Sequence, residues 1–146
     1  MDLLKVWRNN LKGLQFVDHE SKIMLRGAVD ELLHNGSGKI ITLDFKTRGF
    51  ALKEDTHHHY QNQLNLYNFL LRKNGYETED YSYLLFFMPE AINETGHFVF
   101  HTDLVKVKVN IEHAEHLFRK AIKVVQNEMP NSSKDCKFCK WITLPA

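Results

Sequence analysis

The sequence lacks any apolar run that approaches the roughly 20 residues needed to cross a bilayer as a helix. Its opening, MDLLKVWRNN, also lacks the charged and then apolar arrangement of a signal peptide. Internal repeats, low-complexity tracts and linkers rich in glycine, serine or proline are missing as well. We therefore expect a cytoplasmic protein without a membrane partner, folded as one domain over residues 1–146 with a short tail at about residues 130–146.

An excess of charge of either sign is also missing. Lysine and arginine total 19 against 18 aspartate and glutamate residues, which gives a formal net charge of +1 at pH 7. A nucleic-acid partner would therefore need a local basic surface, since several lysine or arginine side chains on one face are required to neutralise phosphates. The hydrophobic fraction of 43% is sufficient for one sizeable core.

Cysteine is scarce, because the chain contains only Cys136 and Cys139, spaced as CxxC in the tail. In a reducing compartment such a pair more often binds a metal or stays reduced than forms a structural disulfide. A zinc site would need two further ligands, which His113 or His116 could supply if the last helix packs against the tail. The alternative is a tail without metal, anchored by packing of the two aromatic residues in CKFCKW.

The hydrophobic pattern predicts a mixed α/β domain. A short helix is predicted within residues 2–11. The predicted strands cover residues 14–18, 22–33, 39–47, 81–88 and 101–109, and the predicted helices run from an Asp55-Thr56 cap to an Asn74-Gly75 stop and over residues 111–128. The continuous apolar run at 81–88 is typical of a strand buried on both faces. The order βββ-α-β-β-α predicts a mixed central sheet, with a three-strand meander first, flanked by helices.

The candidate catalytic residues lie at the ends of the second and third predicted strands. Asp30 follows one strand, and Asp44 and Lys46 occupy alternate positions of the next. Residues two apart on a strand face the same side, so Asp44 and Lys46 project together, and a hairpin turn at residues 35–38 would bring Asp30 beside them. Two carboxylates beside an ammonium suit a hard divalent cation such as Mg²⁺, whose bound water can attack a phosphate.

Three segments, in this order, resemble a known family. They are GAVD at residues 27–30, LDFKT at residues 43–47 and QLNLY at residues 63–67. They are similar to the G-hydrophobic-D, D-aromatic-K-T and Q-x-x-x-Y motifs of RecB-like PD-(D/E)XK nucleases, and the tail resembles the cysteine-rich end of CRISPR-associated members. The resemblance implies a restriction-endonuclease-like fold.

The resemblance also implies a role for each motif residue. Asp30 and Asp44 would bind the metal, and Lys46 would be catalytic by assisting the attacking water. Gln63 and Tyr67 would face the site from a helix, over the metal or the DNA backbone, and bind substrate. Their spacing agrees with that role, because residues four apart lie on the same helical face.

The implied function is a Mg²⁺- or Mn²⁺-dependent DNA nuclease, acting in DNA repair, recombination or phage or CRISPR-type processing. Nearby basic residues such as Arg48 would position the phosphodiester. The alternative is a domain that has lost turnover and serves as a DNA-binding or scaffolding module. DNA is the expected partner, and a homodimer or a larger repair, CRISPR or phage complex would enlarge the DNA-binding surface.

The sequence departs from the family pattern in two places. Many relatives carry a His or Glu metal ligand on a helix ahead of the first strand, and here His19 or Glu20 could replace it. A complete 4Fe-4S cluster needs four cysteines and is not expected with two. The run His57-His58-His59 is expected to form a solvated helical turn, since three adjacent helical residues point in different directions and cannot converge on one ion.

Overall fold

The computed structural model describes residues 3–142 of the chain. That range forms a mixed α/β fold, which confirms the predicted class. The elements are α1 (Leu3–Trp7), β1 (Leu14–Val17), β2 (Met24–Gly27), β3 (Glu31–His34), β4 (Ile40–Thr47), a 3-10 helix (Thr56–Tyr60), α2 (Gln61–Lys73), β5 (Tyr81–Ile92), β6 (Phe98–Lys108), α3 (Ile111–Gln126) and α4 (Lys137–Ile142).

The strands form two sheets. β1 and β2 make a separate antiparallel pair, and the other four strands lie in the order β3-β4-β5-β6. β4 and β5 are parallel, whereas β3 and β6 run antiparallel to their neighbours. A parallel pair requires a crossover connection, and α2 lies in that connection. It packs on the sheet through Leu64, which joins Leu84 and Phe86 in one buried cluster.

The strand predicted at residues 22–33 is two strands, so the predicted three-strand meander is wrong. The two halves separate because they pair with different partners, β2 with β1 and β3 with β4. In the break between them the Val29 N–H donates to the carbonyl of Trp7 at 3.1 Å, and the Val29 side chain is buried. Asp30 consequently lies at the junction of the two sheets.

The end of α2 agrees with the prediction, but its start does not. Asn74 is the C-cap, and Gly75 follows with a φ of 86°, a conformation that glycine adopts without steric cost. Asp55 makes no side-chain capping hydrogen bond. The Thr56 hydroxyl is engaged elsewhere, because it accepts from the Lys53 backbone N–H at 2.9 Å. The segment after Asp55 is therefore the 3-10 helix, and α2 begins only at Gln61.

A buried polar network fixes α2 on the sheet. The Asn68 amide donates to the Ser82 hydroxyl at 2.7 Å and to the Thr42 hydroxyl at 3.2 Å, and the two hydroxyl oxygens lie 2.6 Å apart. All three residues are buried, where such bonds are stronger than in water. Thr42 precedes Asp44 by two residues on β4, and Asn68 follows Tyr67 on α2. The network therefore sets the position of that helix relative to the candidate catalytic residues.

β5 is buried completely on one face only, so the prediction of burial on both faces is wrong. The residues facing α2 are buried and the alternate residues are half-buried. On the opposite face of the sheet, Phe45 and Leu104 are exposed. The strand also continues through Pro89 to Ile92, beyond the predicted end.

The tail forms the short helix α4, whose aromatic side chains do not anchor it. Phe138 is 80% exposed and Trp141 is exposed as well. The alternative of a tail anchored by these two side chains is therefore wrong, because neither reaches the core. Within residues 3–142, no helix has the length and apolar character needed to span a membrane.

Candidate active site

The Asp30 carboxylate lies against β4, beside the carboxylate of Asp44. The Asp30 Oδ2 atom accepts a hydrogen bond from the backbone N–H of Phe45 at 2.9 Å, which holds this carboxylate against the strand. Asp44 precedes Phe45, and its side chain is only 2% exposed. Burial is the main cause that raises the pKa of the Asp44 carboxyl; Lys46 opposes this shift, and the nearby Asp30 adds to it.

The Asp44 carboxylate is not fully satisfied. Its Oδ2 atom contacts the Lys46 ammonium as an ion pair. Apart from this ion pair, no group within residues 3–142 donates a hydrogen bond to this oxygen. A buried carboxylate oxygen without a hydrogen bond costs free energy. The oxygen is therefore available as a ligand for a cation.

Two side chains of α2 hold Lys46 through successive hydrogen bonds. The Lys46 ammonium donates to Gln63 Oε1 at 3.0 Å, and Gln63 Nε2 donates to the Tyr67 hydroxyl at 2.8 Å. The ammonium also lies 4.8 Å from the ring centroid of Tyr60, a distance at which a cation is attracted to an aromatic ring. These contacts fix the ammonium beside Asp44.

Tyr67 lies close to β2 because Gly27 has no side chain. A Cβ atom at Gly27 would lie 3.2 Å from Tyr67 Cε1 and 3.1 Å from Leu70 Cδ1, closer than ordinary van der Waals contact. Burial raises the pKa of the Tyr67 hydroxyl; Gln63 opposes the shift, and the two site carboxylates add to it. Tyr67 therefore remains a neutral hydrogen-bonding group beside the carboxylates.

Two residues near the site were missed by the sequence analysis. Arg8 donates from Nε to the carbonyl oxygen of Asp30 at 2.6 Å and pairs with Glu31. No sequence signal marks Arg8, because its partners are distant along the chain. Tyr60 could have been found, since it lies three residues before Gln63 and such residues are neighbours on a helical surface.

Arg48 and the three histidines lie beyond the end of β4. The Arg48 guanidinium donates to the Thr56 hydroxyl at 2.8 Å and lies 4.9 Å from the ring centroid of Phe50. His57, at the start of the run, belongs to the 3-10 helix, and its ring centroid lies 4.2 Å from that of His58. The contact of Arg48 with substrate remains a prediction.

The structure does not bring His19 or Glu20 to the site. Both lie in the turn between β1 and β2, and the hairpin register places that turn at the opposite end from Gly27. Beside the turn, Asp18 instead forms an ion pair with Arg119 of α3 at 2.5 Å. The ion pair beside the turn therefore joins β1 to α3. His19 and Glu20 do not lie with Asp30 and Asp44, so the turn supplies no further cation ligand there.

The side chains of the zinc alternative are not brought together within the described part of the chain. The Cys139 N–H donates to Cys136 Sγ at 3.4 Å, and the bonds to Cys139 lower the pKa of the Cys136 thiol. His113 Nε2 lies 3.0 Å from Asn62 Oδ1, and His116 is exposed on α3. Residues 3–142 contain no group of three or more His, Cys, Asp or Glu side chains that could hold a metal ion together.

The two site carboxylates nevertheless fit a hard divalent cation. Mg²⁺ prefers oxygen ligands and is commonly held by one or two protein carboxylates together with water or phosphate oxygens. Asp44 offers a buried oxygen without a hydrogen bond, and Asp30 lies beside it. The Lys46 ammonium partly offsets the negative charge of the pair.

Comparison with known proteins identifies the family. A family model described as the PD-(D/E)XK nuclease superfamily matches residues 1–144. No curated protein matches the chain. A solved structure described as "Crystal structure of SSO0001" is 19% identical with a TM-score of 0.49, and the alignment covers 88% of this chain and 55% of that one, so this chain spans about half of its length. The family match confirms the predicted restriction-endonuclease-like fold, and because it extends over nearly all of the sequence, this chain belongs to the PD-(D/E)XK nuclease superfamily.

Proposed function

We propose that this chain is a Mg²⁺- or Mn²⁺-dependent nuclease that hydrolyses phosphodiester bonds in DNA. The observation that carries the proposal is the buried Asp44 carboxylate, which keeps an oxygen without a hydrogen bond beside Asp30 and Lys46. Perturbed groups of this kind cluster at functional sites. Membership of a nuclease superfamily supports the same conclusion. We further propose action in the cytoplasm, in DNA repair, recombination or phage or CRISPR-type processing.

Asp30 and Asp44 are the residues that would hold the cation. When bound, the cation would lower the pKa of a water molecule and offset negative charge on the phosphate. Asp44 must be deprotonated for this role. Lys46 assists, because its positive charge opposes the upward shift of the Asp44 pKa.

Lys46 would act on the attacking water or on the phosphate. Its ammonium has three donors. One N–H of the ammonium donates to Gln63, and a second is directed at Asp44. The third N–H is left to orient water or to stabilise the negative charge that develops on the phosphate. Gln63 and Tyr67 restrict the position of Lys46 through their mutual hydrogen bond. In this proposal they also contact the DNA backbone.

Arg48 would bind a phosphate next to the cleaved bond. Its guanidinium carries five N–H donors, and the bond to Thr56 uses only part of this capacity. The ring of Phe50 further restricts its orientation. An oriented guanidinium suits phosphate because its planar fork can make two parallel hydrogen bonds.

The test is cleavage of labelled single- and double-stranded DNA in Mg²⁺ or Mn²⁺, with a chelator control. Wild type is compared with Asp44→Asn and with the matched control Asp55→Asn, which changes an exposed carboxylate that makes no capping hydrogen bond. We expect wild type and Asp55→Asn to cut DNA equally. Asp44→Asn should lose activity by about a hundredfold or more, because an interaction with the developing charge is removed.

Two outcomes would contradict the proposal. Undiminished cleavage by Asp44→Asn would show that the site lies elsewhere. Failure of the wild type to cut in either metal, with Mn²⁺ binding that still depends on Asp30 and Asp44, would favour the alternative of a DNA-binding or scaffolding module. Unchanged cleavage by Lys46→Ala would remove only the role proposed for that residue.

A further inference from the structure

β6 is an open edge of the four-stranded sheet. It is 11 residues long and pairs with β5 on one side, and no strand within residues 3–142 pairs with its other side. An unprotected edge presents a row of backbone N–H and C=O groups that can pair with another strand. The opposite edge of the sheet, β3, has only four residues. β6 is therefore the longer of the two places where this sheet can be extended.

The first eight residues of β6 lack the usual protection against pairing, and the two lysines of the strand, Lys106 and Lys108, lie at its other end. Natural edge strands carry lysine, proline or other blocking features, and the segment Phe98–Val105 has no lysine, arginine or proline. Its outward-facing apolar side chains are exposed to solvent. They are Phe98 (64%), Phe100 (44%) and Leu104 (59%). Large exposed apolar residues grouped along one edge indicate an interaction surface.

The sequence of β6 is complementary to itself around Thr102. If two antiparallel copies meet with Thr102 opposite Thr102, then His101 of each copy lies opposite Asp103 of the other. In the same register, Phe100 lies opposite Leu104. An imidazole and a carboxylate that face each other can form a hydrogen bond, and such polar pairs, like opposed apolar side chains, stabilise antiparallel strands. Each favourable pair occurs twice, as twofold symmetry requires.

We propose that two copies of this chain associate by antiparallel pairing of their β6 strands about a twofold axis at Thr102. The pairing joins two four-stranded sheets into one continuous sheet. His101 and Asp103 already contact each other within the strand at 3.1 Å. The second copy adds an equivalent pair, so that two imidazoles and two carboxylates form one cluster at the axis. This inference does not rest on the proposed nuclease activity.

The charge of this region favours a second copy over nucleic acid. Residues 89–105 contain no lysine or arginine and include Glu90, Glu94 and Asp103. Phosphate binding requires basic side chains, so this hairpin would repel a DNA backbone. We propose an identical strand as the partner because, in this register, it places a carboxylate opposite His101 and an imidazole opposite Asp103.

A disulfide at the twofold axis tests the register directly. In a variant with Cys136 and Cys139 replaced by serine, Thr102→Cys would place two thiols on directly opposed residues, about 4.5–5.5 Å apart between Cα atoms. That separation is within the range of a disulfide. The matched control is Leu104→Cys, because residue 104 faces residue 100 of the second copy and its own equivalent lies roughly 13 Å further along the strand.

We expect mild oxidation to convert most of T102C into a covalent dimer on non-reducing gels and to leave L104C mainly monomeric. Equal cross-linking of the two variants, or none of T102C, would overturn the proposed register. The reaction is run at micromolar protein concentration, with a reduced sample of each variant beside it.

A charge exchange supplies a second and independent test. Light scattering or analytical ultracentrifugation should show a dimer for the wild type. H101D places like carboxylates opposite each other and should raise the dimer dissociation constant roughly tenfold or more, since opposed like charges destabilise strand pairs. The double variant H101D with D103H restores an imidazole opposite a carboxylate and should recover the dimer.

The matched control is H116D, which makes the same change at an exposed position of α3. It should leave the dissociation constant unchanged. A monomeric wild type at 100 times the concentration used for cross-linking would overturn the proposal. So would a dimer that H101D does not weaken, because the contact would then lie on another surface.

Discussion

The Lys46 ammonium donates a hydrogen bond to Gln63 Oε1 at 3.0 Å, which joins β4 to α2 directly beside the buried Asp44 carboxylate. Gln63 is itself held by Tyr67. The position of the ammonium therefore depends on how α2 packs against the sheet. Lys46, which lies on β4, is in this way oriented by a helix that follows it in the chain.

Replacement of Gln63 by alanine should lower kcat for DNA cleavage by roughly tenfold and leave the fold intact. A hydrogen bond to a charged group contributes about 1.5–3 kcal/mol, and without it Lys46 occupies its working position for less of the time. The measurement is steady-state cleavage with kcat and KM determined separately. Asn62→Ala, on the neighbouring exposed residue of α2, is the control and should have near-normal activity. An unchanged kcat in Gln63→Ala would contradict the positioning role.

Replacement of Asp44 by asparagine should stabilise the metal-free protein. The wild-type carboxylate is buried beside Asp30, and both conditions oppose its charged form. Asparagine keeps the shape and removes the charge, so we expect a gain of about 1 kcal/mol, as is common when a functional site is neutralised. In a chain of this size that corresponds to a rise in Tm of about 2–4 °C.

The same variant should lose stabilisation by metal. Addition of Mn²⁺ at 100 times its dissociation constant stabilises a folded protein by about 2.7 kcal/mol. This increase in the free energy of unfolding should appear in wild type and in Asp55→Asn. It should be absent from Asp44→Asn. A lower Tm for metal-free Asp44→Asn, or an undiminished Mn²⁺ shift, would show that the carboxylate is not a strained cation ligand.

Replacement of Gly27 by alanine should destabilise the fold by about 1–3 kcal/mol, the usual cost of an extra carbon in a tightly packed place. The added Cβ would press on Tyr67 and Leu70. Because Tyr67 orients Gln63, activity should fall as well. Gly36→Ala is the matched control, since a Cβ at Gly36 meets nothing within 4 Å. Denaturant unfolding of both variants measures the difference, and equal stability would contradict the close packing.

The Asp18–Arg119 ion pair should make the fold sensitive to acid. Hydrogen bonds from Ser21 and then from Arg119 lower the pKa of Asp18 from 3.8 to about 2. A depressed pKa in the folded state contributes stability that is present above pH 3.8 and is lost as the pH falls toward 2. Asp18→Asn should therefore be less stable than wild type at pH 7, and the difference should shrink at pH 2. A pH-independent difference in the free energy of unfolding would contradict this assignment.

The sequence predicted much of the candidate site because its signals are local. Alternation along a strand places Asp44 and Lys46 on one side, and the spacing of Gln63 and Tyr67 places them on one helical face. These relationships follow from backbone geometry and do not require knowledge of distant partners. The α/β class and the end of α2 at Asn74-Gly75 were accessible for the same reason.

Relationships between distant segments could not be predicted in this way. The division of residues 22–33 into β2 and β3 is decided by pairing with β1 and β4, and an extended segment carries no mark of its partner. Arg8 was missed because its bond to the Asp30 carbonyl joins segments without a shared motif. The exposure of Phe138 likewise depends on whether the core reaches the tail, which apolar composition does not determine.

The sequence by itself therefore determined which residues share a strand or helix face and which family the chain resembles, because those properties repeat with the period of the backbone. Only the tertiary structure decided that Asp30 lies at the junction of two sheets against Phe45, that Gln63 holds Lys46, and that one oxygen of Asp44 remains without a hydrogen bond. These features depend on how separate elements pack, and packing is fixed by the burial of all their side chains together.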